Sequence, residues 1–171
     1  MQLKHPVDSN DHFQGNPGAQ LVIVEYGDYQ CPHCGAAHPI IQKIMEDFGS
    51  QVKFVFRNFP LSEIHPLALP AALAAEAASR QGKFWEMHDA IFEQQRKLSE
   101  SMLVGLGEML GLDAGQFKSD RADESLAARV DNDFETGMRS GVNGTPTFFI
   151  DGNKFDGGAE DLYNILRENA G

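Results

Sequence analysis

The sequence predicts an α/β fold: a mixed sheet built as β-α-β, then a β-hairpin and a last helix, with four or five helices inserted between the two parts. Three observations predict it. Apolar residues pass from strand-like to helix-like and back to strand-like spacing over residues 21–56. Strand signals then vanish over 66–140, where apolar residues recur at three- and four-residue steps. Short apolar strands return at Thr147. A chain of 171 residues fits one domain, or one with an inserted subdomain. The boundaries read as 1–65 with 141–171 for the sheet domain and 66–140 for the helical insertion.

Each element has its own signal. Residues 1–20, rich in Asn, Gly, Pro and Asp, read as an irregular lead-in. Leu21–Tyr26 is an apolar, β-branched run of the kind buried on both faces of a sheet. Ala37, Ile40, Ile41, Ile44, Met45 and Phe48 mark an amphipathic helix. Pro32 falls in its first turn, where proline is tolerated, and Gly49 ends it. Val52–Phe56 is the next strand, and the crossover between the two strands is expected to be right-handed. In the insertion, an alanine-rich segment (68–78) precedes Phe84, Met87, His88, Ile91 and Phe92 at helical spacing. Two further helical patterns run from Met102 to Leu110 and from Leu126 to Met138. Thr147–Ile150 and Asn153–Phe155 flank Asp151-Gly152, a hairpin turn pair, and Leu162, Ile165 and Leu166 mark the last helix.

Composition narrows the function. The formal net charge is −11 and the pI about 4.8. Nucleic acid and anionic membrane surfaces are poor partners for such a chain, because phosphate binding needs clustered Lys and Arg. No run approaches the ~18 apolar residues of a membrane span. The first twenty residues hold no apolar leader core. The expected location is therefore cytoplasmic for the chain as written, and periplasmic if a leader has been removed.

The chemistry concentrates in Cys31-Pro32-His33-Cys34, which holds both cysteines of the chain at a strand-to-helix junction. Thiol–disulfide exchange needs an attacking thiolate and a second thiol close enough to resolve the mixed disulfide. A helix start provides free N–H groups and the positive end of the macrodipole. Cys31 at the N-cap is therefore expected to be an exposed sulfur with a lowered pKa, assisted by His33. Cys34, one turn in, is expected to stay shielded and to resolve. A structural zinc site commonly takes four ligands. Only one Cys-x-x-Cys pair exists, and His33, His38 and His65 lack ligand spacing, so neither metal nor cofactor is expected. A permanent disulfide across so short a loop would remove little chain entropy.

Cys31-Pro32-His33-Cys34 resembles the active-site tetrapeptide of the DsbA-like branch of the thioredoxin superfamily, in its short soluble bacterial form. The resemblance extends to Asp11-His12, to Glu25-Tyr26-Gly27-Asp28-Tyr29-Gln30, to Phe84-Trp85-Glu86-Met87-His88 and to Gly144-Thr145-Pro146-Thr147. It implies a thioredoxin fold and a protein dithiol–disulfide oxidoreductase working through a Cys31 mixed disulfide. It further implies that Pro146 is a cis-proline beside the Cys31 sulfur and that the Thr145 backbone pairs an extended substrate. By the same resemblance Glu25 is buried under Cys34 and moves its proton. The implied partners are protein or small-thiol disulfides and a redox recycling partner. A lowered Cys31 pKa favours the reduced form, which makes the couple more oxidising than thioredoxin. Threonine before the proline, where the best-known oxidases carry valine, leaves reduction or isomerisation open as the working direction. Two readings compete. Glutathione-dependent kappa-type transferases share the core but generally carry serine at the Cys31 position. A peptide-binding or chaperone-like module would use the groove near Pro146 without the cysteines.

Overall fold

A computed structural model describes residues 1–169. Five strands form one sheet in the order β1-β3-β2-β4-β5. These are β1 (His12–Gly15), β2 (Leu21–Gly27), β3 (Val52–Asn58), β4 (Thr147–Ile150) and β5 (Asn153–Phe155). β2 and β3 run parallel, with Glu25 opposite Phe56, and the other pairings are antiparallel. The parallel pair is joined by helix α1 (Pro32–Phe48). The insertion comprises α2 (Ala68–Ser79), α3 (Phe84–Glu93), a 3-10 turn (Gln95–Lys97), α4 (Glu100–Met109), α5 (Ala114–Arg121) and α6 (Glu124–Arg139). Helix α7 (Ala159–Asn169) packs beside α1. This is the thioredoxin fold with a helical insertion.

The alternation of a strand puts successive side chains on opposite faces. Ile23, Phe54, Phe56 and Phe148 enter one apolar cluster with α1, α7 and most of the insertion. Val24, Tyr26, Val55 and Phe149 enter a second cluster on the other face with Phe59 and Val142. Glu25 shares the face of Ile23, so the period of the strand directs it under α1 among apolar neighbours.

One reading of the sequence needs correction here: the lead-in contains a strand, and β1 pairs antiparallel with β3, from His12 opposite Phe56 to Gly15 opposite Lys53. Four residues with only Phe13 apolar carry no usable period. The pairing comes from the free edge of β3, and the indole N–H of Trp85 also donates to the Phe13 carbonyl at 2.9 Å. The Arg57 guanidinium, 1% exposed, anchors the same region through a two-pronged ion pair with Asp11 at 2.8 and 2.9 Å. Helix α1 begins at Pro32, as read from the sequence, and runs through Pro39. Gly49 ends it, also as read, in the right-handed region at φ −59°. A Cβ there would meet the Met45 carbonyl oxygen at 2.4 Å, so the glycine serves a close approach and not a left-handed turn. The Asp151-Gly152 turn has positive φ at both positions, 49° and 83°, as a tight primed hairpin turn requires.

Candidate active site

The loop Asp28–Gln30 carries the chain from β2 into α1 and is built around the buried carboxylate of Asp28. Its Oδ1 accepts from the backbone N–H of Gln30 at 2.7 Å and of Cys31 at 3.2 Å. Its Oδ2 accepts from the N–H of Leu61 at 3.0 Å and lies 2.8 Å from Nδ1 of His65. The carboxylate is thus committed to the loop and to residues 61–65. The Asp28 backbone N–H donates to Sγ of Cys34 at 3.4 Å. Tyr29 is packed between Phe56, Phe92 and His88, with its hydroxyl 2.8 Å from Nδ1 of His88.

Cys31 is the N-cap of α1 with extended φ/ψ of −69° and 122°, and Pro32 is the first helical residue. The Cys31 residue is only 4% exposed and Cys34 1%, and both are free thiols. The expectation of an openly exposed Cys31 sulfur is corrected here. The reason is Thr145, whose carbonyl accepts from Sγ of Cys31 at 3.6 Å. The Thr145–Pro146 peptide bond is cis. Pro32 and His33, flanking the sulfur in sequence, are exposed. The His33 side chain makes no hydrogen bond among the described residues, and the His33 backbone N–H acts on the Cys31 thiolate.

The two thiols are driven apart electrostatically. Cys31 falls from 9.0 to about 5 because Cys34 donates a hydrogen bond to its thiolate. Burial opposes that, and the Thr145 side chain with the backbone N–H groups of Cys34 and His33 adds to it. Cys34 moves well above 9.0, first through burial, then because its proton serves Cys31, and then through the charge of Glu25. Glu25, 4% exposed, rises from 4.5 to about 8 through burial first and the Cys31 charge second. One acid near neutrality, one ionised thiol and one protonated thiol are the groups a two-step exchange needs.

Gln95 was not legible as a site residue. From the 3-10 turn after α3, its side-chain amide donates to the carbonyls of Tyr29 at 2.9 Å and Cys31 at 2.8 Å. Gly35 makes room for it: a Cβ there would meet Oε1 of Gln95 at 2.1 Å. Gln95 also belongs to an open cleft of about 830 Å³, with Pro32, Gly35 and Ala36 on one wall and Phe92–Lys97 on the other. The only sequence signal was a glutamine pair directly beyond an amphipathic helix.

The thioredoxin family model, described simply as thioredoxin, matches residues 8–167. The chain belongs to the thioredoxin family. Its structural neighbours place it with the DsbA-like proteins. The thiol-disulfide exchange protein α-DsbA2 of Wolbachia pipientis is 26% identical, with a TM-score of 0.82 over 95% of this chain and 86% of that one. BdbD of Bacillus subtilis is also 26% identical, with a TM-score of 0.80 over 93% and 90%. A thioredoxin-like oxidoreductase from Silicibacter pomeroyi gives 26% and 0.78 over 95% and 94%. By sequence the chain is 42% identical over 166 residues to a protein of Salinispora arenicola named Na(+)/H(+) antiporter NhaA 1, covering 96% of this thioredoxin-family chain and 25% of that one. A protein of Herminiimonas arsenicoxydans named Na(+)/H(+) antiporter NhaA is 37% identical over 158 residues, again 25% of its length. The chain thus spans about a quarter of these curated relatives. Among its described residues no helix is long and apolar enough to cross a membrane.

Proposed function

We propose that this thioredoxin-family chain is a protein thiol–disulfide oxidoreductase in which Cys31 exchanges and Cys34 resolves. The observation that carries this reading is the separation of the two thiols, with Cys31 near pH 5 and Cys34 well above 9. At neutral pH one sulfur is a nucleophile while the other keeps its proton.

In the reducing direction the Cys31 thiolate attacks a client disulfide, forms the Cys31–client bond and releases one client thiolate. Cys34 then loses its proton to the Glu25 carboxylate and attacks Sγ of Cys31. The second client thiolate leaves, and a Cys31–Cys34 disulfide remains. In the oxidising direction a client thiolate attacks Sγ of Cys31 in that disulfide. The Cys34 thiolate leaves and takes the proton from Glu25. A second client thiolate displaces Cys31, which departs readily because its low pKa makes it a good leaving group. The low value favours the oxidising direction, and the sulfur recycles through a partner disulfide or thiol. The backbone of Thr145, beside the cis peptide bond to Pro146, is the surface along which an extended client lies, and the client displaces the Cys31–Thr145 contact as it binds.

The test is turnover of a model disulfide protein. Cys31→Ser is expected to abolish oxidation and reduction alike, while Cys34→Ser accumulates a client mixed disulfide at Cys31. Unchanged client capture by the double serine variant would favour a non-catalytic binding module instead.

A further inference from the structure

Behind the active-site helix, α1 and α3 bring His38, His88 and Asp89 together, with one potential ligand atom of each within 4.8 Å of the others. His38 is 7% exposed, and its Nε2 is buried without a hydrogen-bond partner. An orphaned buried polar atom forfeits its hydration without compensation, and folded proteins keep few of them without a reason. Oδ1 of Asp89 lies 3.7 Å from this Nε2. That is too long for a hydrogen bond. It is close to the ~3.4 Å that separates two ligands bonded at ~2.0–2.1 Å to one tetrahedral zinc ion. The Asp89 side chain is 39% exposed, so it can close the difference and offers a path from solvent. The third ligand comes from His88, whose Nδ1 lies 2.8 Å from the Tyr29 hydroxyl. A hydrogen bond at one ring nitrogen orients an imidazole whose other nitrogen takes a metal.

We propose that His38, His88 and Asp89 bind a divalent transition-metal ion of the zinc type, with water in the remaining position. Two imidazoles and a carboxylate are donors suited to that class. Sequence spacing hides the site, because its two histidines lie on helices that meet only in the folded chain. The ion would pin α3 to α1, the helix that carries both cysteines, and would reach the loop ahead of Cys31 through His88 and Tyr29. The inference does not depend on the redox reading.

The test uses the disulfide-oxidised protein, so that the thiols cannot ligate. Zinc is titrated by calorimetry, cobalt by its visible absorption, and melting is followed against zinc concentration. Binding of one ion per chain is expected, with Tm rising as zinc increases. His5→Ala, at an exposed histidine, should bind as the parent does. Asp89→Asn should weaken binding at least tenfold, and His38→Ala should abolish it. If His38→Ala fails to fold, Asp89→Asn decides alone, since that side chain is partly exposed. No zinc-dependent rise in Tm, or binding unaltered by Asp89→Asn, would mean an adventitious ion only and would overturn the proposal.

Discussion

The side-chain amide of Gln95 donates to the carbonyl of Cys31 at 2.8 Å, so the inserted helices hold the turn from which the active-site helix starts. The same amide holds Tyr29. Gln95→Ala is expected to leave the fold intact, because the residue sits on a partly exposed 3-10 turn. It should raise the Cys31 pKa by a few tenths to one unit by loosening the N-cap, and slow client exchange severalfold. Thiolate absorbance against pH checks this. Retained pKa and rate with only a lower Tm would reduce Gln95 to a structural tie.

Cys34 is the first cause of the lowered Cys31 pKa. Cys34→Ala is therefore expected to return the Cys31 pKa most of the way toward its ordinary value. Cys34→Ser, which keeps a donor, should return it less. Alkylation rates of the single remaining thiol against pH distinguish the two variants.

Glu25 gives the reduced protein a definite pH signature. Its folded-state pKa of about 8 lies above the ordinary 4.5, so the native state binds the proton more tightly than the unfolded chain. The stability from this group is complete below pH 4.5 and is lost as pH rises through about 8. Glu25→Gln should remove that loss and be the more stable protein at pH 8, by several kcal/mol for so buried a carboxyl. It should also slow the resolving step, most visibly below pH 8. Denaturant midpoints and single-turnover rates across pH 5–9 measure both effects. An unchanged pH profile of exchange would exclude Glu25 as the proton carrier.

Asp11 neutralises the buried Arg57. Asp11→Ala leaves a guanidinium without its carboxylate and is expected to destabilise the protein by about 3 kcal/mol, the scale of a broken buried pair. Urea unfolding of Asp11→Ala beside the Asp11→Ala, Arg57→Met double variant separates the unpaired charge from lost packing. The double variant should recover part of the loss.

Equilibration with glutathione buffers reads the direction of the couple. A thiolate held at low pKa stabilises the reduced form, so the potential is expected well above the roughly −270 mV of thioredoxin. A value near thioredoxin's would favour reduction as the working direction.

Legibility in the sequence followed the strength of local signals. The hairpin was readable because Asp151-Gly152 sits between two short strands and both residues accept positive φ. Helix α1 was readable because its apolar residues keep one face. β1 was not, since four residues supported by the β3 edge and by Arg57–Asp11 carry no period of their own. The cysteine pair was legible from spacing at a β–α junction. The burial of Cys31 was not, because it depends on Thr145, which lies far along the chain and meets the sulfur only after folding. The same holds for Gln95 and for the His38–His88–Asp89 cluster, whose members are joined by helix packing alone.

The most direct measurement is the pH dependence of alkylation in the reduced wild-type protein, with the adduct located by mass spectrometry. The account expects modification on Cys31 alone, with a midpoint near pH 5 and Cys34 silent until well above pH 9. A midpoint near 9 for both thiols, or an adduct that forms first on Cys34, would contradict it.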